Sequence, residues 1–264
     1  MKEILKVDNL KVDFYIGEQK IEAVKGISFS LFSNEIVAIV GESGSGKSVT
    51  CQAILDILPS YAKVEGNILF QNKNIKNLSK EEKRQIRGNK ISMVFQEPSA
   101  VLNPLLTVGE QIVETIKAHN NVSDKEAKDI AIQTLKKVEI PQPEKRFYQY
   151  PHELSGGLKQ RVVIAIAIVN NPVLLLADEP TTALDVTTSA KILDLFLKLK
   201  EDYKMSILII THDLGVVAQV ADRVIVMYRG EILEQGDVYQ IFENPISEYT
   251  KMLLNSRFSI RSRN

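Results

Sequence analysis

Gly41-Glu42-Ser43-Gly44-Ser45-Gly46-Lys47-Ser48 fits the phosphate-loop template G-x-x-x-x-G-K-[ST] at every fixed position. Glycines at this spacing let successive backbone N–H groups, and the start of the next helix, face an anion. Lys47 brings a point charge for the outer phosphates, and the Ser48 hydroxyl can join a magnesium shell. A Gly/Ser turn can meet such a pattern by chance. Here the apolar run Glu35-Ile36-Val37-Ala38-Ile39-Val40 precedes it and a helix-like stretch opening at Val49 follows, which is the context the template requires. The predicted chemistry is binding of a nucleoside triphosphate. Asp178 and Glu179 end a second apolar strand, Val173 to Ala177. Beside a phosphate loop, one such carboxylate can hold magnesium and its neighbour can take a proton from attacking water. An isolated acidic pair would more simply cap its strand. A third phrase, Leu154-Ser155-Gly156-Gly157-Leu158-Lys159-Gln160-Arg161, opens a long apolar helix with free N–H groups that can receive an anion.

These groups need a scaffold, and the chain alternates in character to supply one. Residues 4–15 alternate and predict a strand. A turn at Gly17-Glu18-Gln19-Lys20 leads to a second strand through Phe29-Ser30-Leu31. Short strands are predicted at Ile68-Leu69-Phe70 and at 90–95. Val108 to Ala118 and Lys125 to Val138 carry apolar residues at helical spacing, with Pro141-Gln142-Pro143 between the second and the next segment. The near-continuous apolar runs 173–177 and 206–210, with 223–227 after them, imply a parallel sheet covered on both faces. The fold class expected is α/β, a phosphate-loop NTPase core with a mixed sheet, parallel in its core and antiparallel in its N-terminal strands. An α-helical subdomain is inserted in it. The division expected is one domain over 1–264: an α/β core at 1–96 and 171–250, a helical insertion at 97–170, and a short tail at 251–264, polar and basic from Asn255.

Composition narrows the classes. Lys+Arg and Asp+Glu both number 33 in 264 residues, so no global field argues for a nucleic-acid partner. The single Cys51 excludes an internal disulfide and reads as a small buried thiol one turn into the helix after the phosphate loop. The N-terminus lacks a signal-peptide apolar segment, and no run of about 18 uncharged apolar residues occurs, so the chain is expected in the cytosol.

In order along the chain, Gly41–Ser48, Gln96, Leu154–Gly157, Leu176–Pro180, Thr182-Ala183-Leu184-Asp185 and His212 resemble the phosphate loop, Q-loop, signature, Walker B segment, D-loop and switch histidine of ATP-binding cassette ATPases. The resemblance spans about residues 4 to 254. It implies a head-to-tail dimer in which the phosphate loop of one subunit and the signature of the other enclose ATP. In that arrangement Gly41, Glu42, Ser43, Gly44, Ser45, Gly46, Lys47, Ser48, Val49, Gln96 and Asp178 bind ATP in their own subunit. Ser155, Gly156, Gly157, Gln160 and Asp185 act across the interface. Glu179 is the implied general base, and His212 contacts the γ-phosphate and that base. Ser48, Gln96 and Asp178 are the implied magnesium set, partly through water. Phe14, or else Tyr15, is expected to stack on adenine, although core packing explains either ring equally well. Leu158 and Thr182 depart from the commonest family pattern, where Gln and Ser stand, without removing a group hydrolysis needs.

Glu97-Pro98-Ser99-Ala100-Val101-Leu102-Asn103-Pro104, Tyr150–Gly157 and Asn244-Pro245 followed by Tyr249-Thr250 and Leu253-Leu254 are similar to importer ATPases for dipeptides, oligopeptides and nickel. The resemblance implies ATP and Mg2+ as cofactors and, with one cysteine, no iron–sulfur cluster. The implied partners are a second ATPase subunit (a different chain or a second copy), two integral membrane permease subunits and an extracellular solute-binding protein. The location implied is peripheral, on the cytoplasmic face of the cell membrane. Peptide and metal-chelate branches both stay open. The alternative class, a cassette ATPase serving DNA or ribosomes, usually carries long coiled coils or two cassettes in one chain, and neither pattern is present.

Overall fold

Ile36 to Val40 are all buried, and so are Leu174 to Asp178 and Ser206 to Thr211, as strands covered on both faces must be. The computed structural model describes residues 2–182 and 184–261, and they form an α/β fold with parallel and antiparallel strands. The strands are β1 (Glu3–Ile16), β2 (Gln19–Phe32), β3 (Ile36–Val40), β4 (Ala62–Phe70), β5 (Lys73–Asn74), β6 (Ile91–Val94), β7 (Leu174–Asp178), β8 (Ser206–Thr211), β9 (Arg223–Tyr228) and β10 (Glu231–Asp237). The helices are α1 (Lys47–Leu55), α2 (Lys80–Ile86), α3 (Pro98–Val101), α4 (Val108–Lys117), α5 (Asp124–Lys137), α6 (Pro143–Arg146), α7 (Gly156–Ile168), α8 (Val186–Tyr203), α9 (Leu214–Val220), α10 (Val238–Glu243) and α11 (Glu248–Arg261).

The described residues cluster into two compact units, Met1–Ser79 with Ser206–Asn264, and Lys80–Met205. The expected division placed 1–96 and 171–250 together. By packing, β6, β7 and α8 group with the helices of the second unit instead.

In the first unit, β3 pairs in parallel with β8 and β9, and β10 adds an antiparallel edge to β9. A separate antiparallel sheet runs in the order β2-β1-β4-β5, with β1 and β2 joined by a two-residue turn between Ile16 and Gln19. Over β3 and β9 lies a cluster of Ala38, Val40, Val224 and Val226 with Leu214, Val217, Ile241 and Leu254. Each such side chain contributes about 1.5–3 kcal/mol when taken fully out of water. The stretch expected as a short tail from 251 is the continuation of α11. Tyr249, Leu253 and Leu254 fall on one helical face and dock on that cluster, so the chain stays helical through Arg261. Residues 262–264 of the expected tail lie outside the described residues. Cys51 is buried and unbridged in α1, as expected.

In the second unit, β6 and β7 pair in parallel, with Ile91 opposite Leu174. Helices α4 and α5 start with capping boxes, Thr107 with Glu110 and Ser123 with Glu126. Their inner faces, Ile112 and Ile116 on one and Ala131 and Leu135 on the other, are buried. Helix α7 is apolar around nearly its whole circumference, as a central helix should be.

Candidate functional site

The phosphate loop connects β3 to α1 in the first unit. Lys47 is buried, and its Nζ donates to the carbonyls of Gly41 (2.9 Å) and Glu42 (2.8 Å), which holds the loop curled around the ammonium. Two backbone approaches explain why glycine stands at both ends of this curl. A Cβ on Gly41 would lie 2.0 Å from the Met227 carbonyl oxygen, and one on Gly46, at φ 99°, would lie 2.5 Å from that of Ala23. Gly46 caps α1 with no side-chain hydrogen bond, and the first turn of α1 holds no acidic residue. Helix α7 likewise begins at Ser155 with no side-chain cap. By contrast α4, α5, α8, α9 and α10 have their first amides taken by Thr107, Ser123, Asp185, Asp213 and Asp237. The two starts assigned to phosphate by sequence have no side-chain cap, a feature shared by the short helices α3 and α6, and the helix dipole there favours an anion.

In the second unit Asp178 is buried as the last residue of β7, and Glu179 follows with φ 45°, a left-handed backbone that costs a non-glycine residue energy. The Glu179 carboxylate oxygen Oε2 accepts from Gln96 Nε2 (3.1 Å) and from the Thr182 hydroxyl (2.9 Å). The structure therefore joins two expected site residues directly and adds Thr182, which sequence reasoning noted only as a departure.

Ser155 and Gly156 are exposed and Gly157 half-buried. A Cβ on Gly157 would lie 2.6 Å from Thr188 Cγ2, so the signature glycine packs on the start of α8. Asp185 caps that helix: it accepts from the Thr188 amide (2.9 Å) and the Thr188 hydroxyl (2.7 Å). Those two bonds hold its carboxyl below the usual carboxylate range. Ala183 of the D-loop lies outside the described residues. Gln160 is 1% exposed on the packed face of α7, with Nε2 lacking a hydrogen-bond partner. His212 is exposed at the end of β8.

The two candidate adenine rings occupy opposite faces of β1. Phe14 is half-buried, 5.9 Å from the Tyr61 ring, whereas Tyr15 lines a shallow charged cavity of about 300 Å³ with Lys11, Asp13, Lys20 and Glu22. In the segment after Gln96, Leu102 and Val108 are core, while Val101 and Leu105 are exposed, Leu105 by 81%.

A family model described as ABC transporter matches residues 24–182. The dipeptide transport ATP-binding protein DppD of Bacillus subtilis (strain 168) is 52% identical over 258 residues, covering 97% of this chain and 77% of that protein. The oligopeptide transport ATP-binding protein OppD of the same organism is 50% identical over 262 residues, covering 98% and 73%. Among solved structures, the dimeric ATP-binding cassette MJ0796 in a post-hydrolysis state with ADP and Pi superimposes with a TM-score of 0.79 at 34% identity, covering 89% of this chain and 99% of that one. CbiO1 of Clostridium perfringens, part of the cbiONQ ABC transporter complex, gives a TM-score of 0.78 at 30% identity over 99% and 100%.

Proposed function

As a member of the ABC transporter family, this chain is, we propose, the ATP-hydrolysing subunit of a peptide importer. The observation that carries the ATP chemistry is the phosphate loop itself, curled around the buried Lys47 ammonium at the start of α1. The peptide assignment is supported by relatives of about half identity over nearly the full chain, whose names refer to dipeptides and oligopeptides.

Lys47 and the loop amides hold the β- and γ-phosphates of ATP. Water attacks the γ-phosphorus, the bond to the ADP oxygen breaks, and the water's proton passes to the Glu179 carboxylate. Gln96 and Thr182 fix that carboxylate, so its basic oxygen is presented in one orientation. His212 steadies the γ-phosphate. Ser48, Asp178 and Gln96 each offer an oxygen of the kind Mg2+ prefers, and the ion when bound would supply charge neutralisation on the phosphates. Ser155, Gly156 and Gly157 serve the nucleotide of a second ATPase subunit, a different chain or another copy. Asp185 keeps the start of α8 in register with Gly157. Phe14 is the adenine platform. No described helix is long and apolar enough to cross a membrane. Exposed Val101 and Leu105 support docking of a permease subunit at residues 97–115, on the cytoplasmic face, with a solute-binding protein outside delivering peptide.

Isolation of the chain from its native membrane tests this reading. Co-purification with permease subunits, and ATP-dependent peptide accumulation in vesicles that Lys47→Ala abolishes, is the result expected. Recovery with ribosomes or DNA and no membrane partner would refute it.

A further inference from the structure

We propose that Tyr249, on the C-terminal helix, is a positioning residue for the phosphate loop. This deepens the ATP reading and rests on it. The backbone N–H of Glu42, second residue of the loop, donates to Tyr249 Oη at 3.3 Å. The Tyr249 ring lies 4.4 Å from the ring of Tyr228, last residue of β9. The turn that follows grips the same loop: Gly230 N–H donates to the Ser45 carbonyl at 3.0 Å, and the Met227 carbonyl sits against Gly41. The loop is thus held at Gly41, Glu42 and Ser45 by β9, the turn after it and α11.

The brace is itself anchored. Glu234 accepts from the amides of Ile246 (2.8 Å) and Ser247 (3.0 Å) at the entry to α11, and Leu254 is buried one turn beyond Tyr249. Burial keeps the Tyr249 hydroxyl above its ordinary pKa, partly offset by the Glu42 amide, so it stays neutral and adds no negative charge beside a triphosphate. A loop whose amides must converge on phosphates binds more tightly when fewer of its conformations have to be lost on binding. The Tyr249-Thr250 pair, which marked only a family resemblance in the sequence, acquires a physical role through this contact.

Tyr249→Phe removes the hydroxyl and keeps the ring on Tyr228, so folding is preserved. The test compares the full chain as wild type, Tyr249→Phe and Lys47→Ala in titrations with MgATP. It adds steady-state hydrolysis in the assembled transporter and amide exchange at Glu42 without nucleotide. A neutral hydrogen bond at this length leads to a roughly three-fold loss of ATP affinity in Tyr249→Phe. KM should rise to match, with kcat and the melting temperature unchanged, and the Glu42 amide should exchange faster. Wild-type affinity and KM in Tyr249→Phe, with binding lost in Lys47→Ala, would overturn this inference alone. A wild-type chain that bound no ATP would overturn the ATP reading and the inference with it, a pattern distinct from the first.

Discussion

Replacing Glu179 by glutamine removes a proton acceptor while leaving its surroundings in place. The Glu179 oxygen that takes hydrogen bonds from Gln96 (3.1 Å) and Thr182 (2.9 Å) becomes an amide oxygen able to take both. Charge-assisted bonds become neutral ones, a loss of about 1 kcal/mol against a typical folding stability of about 5–15 kcal/mol. The left-handed backbone at φ 45° is no harder for glutamine than for glutamate. What disappears is the group that accepts the water's proton, and a positioned general base accelerates such steps by about 10²–10⁴. At 1.36 kcal/mol per decade this is a barrier increase of about 3–5 kcal/mol. ATP affinity should stay within about two-fold, because no phosphate-loop residue changes, and the ATP-bound dimer should persist closed. Phosphate release from the assembled transporter at saturating MgATP, alongside a nucleotide titration, measures both quantities. Turnover in Glu179→Gln within ten-fold of wild type would refute the base assignment and leave this carboxylate a positional role.

Further expectations follow from close contacts and from titration. Gly46→Ala places a methyl 2.5 Å from the Ala23 carbonyl at φ 99°, so ATP binding should vanish and urea unfolding should show a loss of about 3 kcal/mol. Gly157→Ala drives a methyl to 2.6 Å from Thr188, which should lower turnover in the assembled complex while ATP affinity of the isolated chain holds. Equal losses in both measurements would contradict the assignment of Gly157 to a partner's nucleotide. Burial pushes the Glu234 carboxyl up, but the Thr250 hydroxyl together with the amides of Ile246 and Ser247 outweighs it and the net shift is downward. A depressed folded-state value makes its contribution complete above the unfolded carboxylate pKa of about 4.3, with loss as pH falls through the folded one. Thermal scans from pH 6 to 3 should therefore fall more steeply for wild type than for Glu234→Gln; parallel curves would discount the anchor.

Where a single local rule decided the structure, the sequence was legible. The runs at 173–177 and 206–210 had to be buried strands because nothing polar interrupts them, and β7 and β8 fall there. The phosphate loop was readable because its glycines answer a backbone constraint written at fixed spacing. Helix α11 was hidden, since its packed face is a handful of side chains that matter only once α9 and α10 create a surface for them. The burial of Gln160 was hidden for a related reason: a motif read as a string does not say which residues of the helix face inward. Thr182 was read as a deviation, yet its hydroxyl supplies one of two hydrogen bonds to Glu179. The contact between Tyr249 and Glu42 spans 207 positions and has no local signature.

The most direct test is ATP turnover by the reconstituted transporter, measured with and without a peptide-loaded solute-binding protein. The peptide-loaded form should raise turnover several-fold, a nickel chelate should not, and Glu179→Gln should remove the stimulated rate. Turnover that ignored peptide, or rose only with the metal chelate, would contradict the peptide assignment.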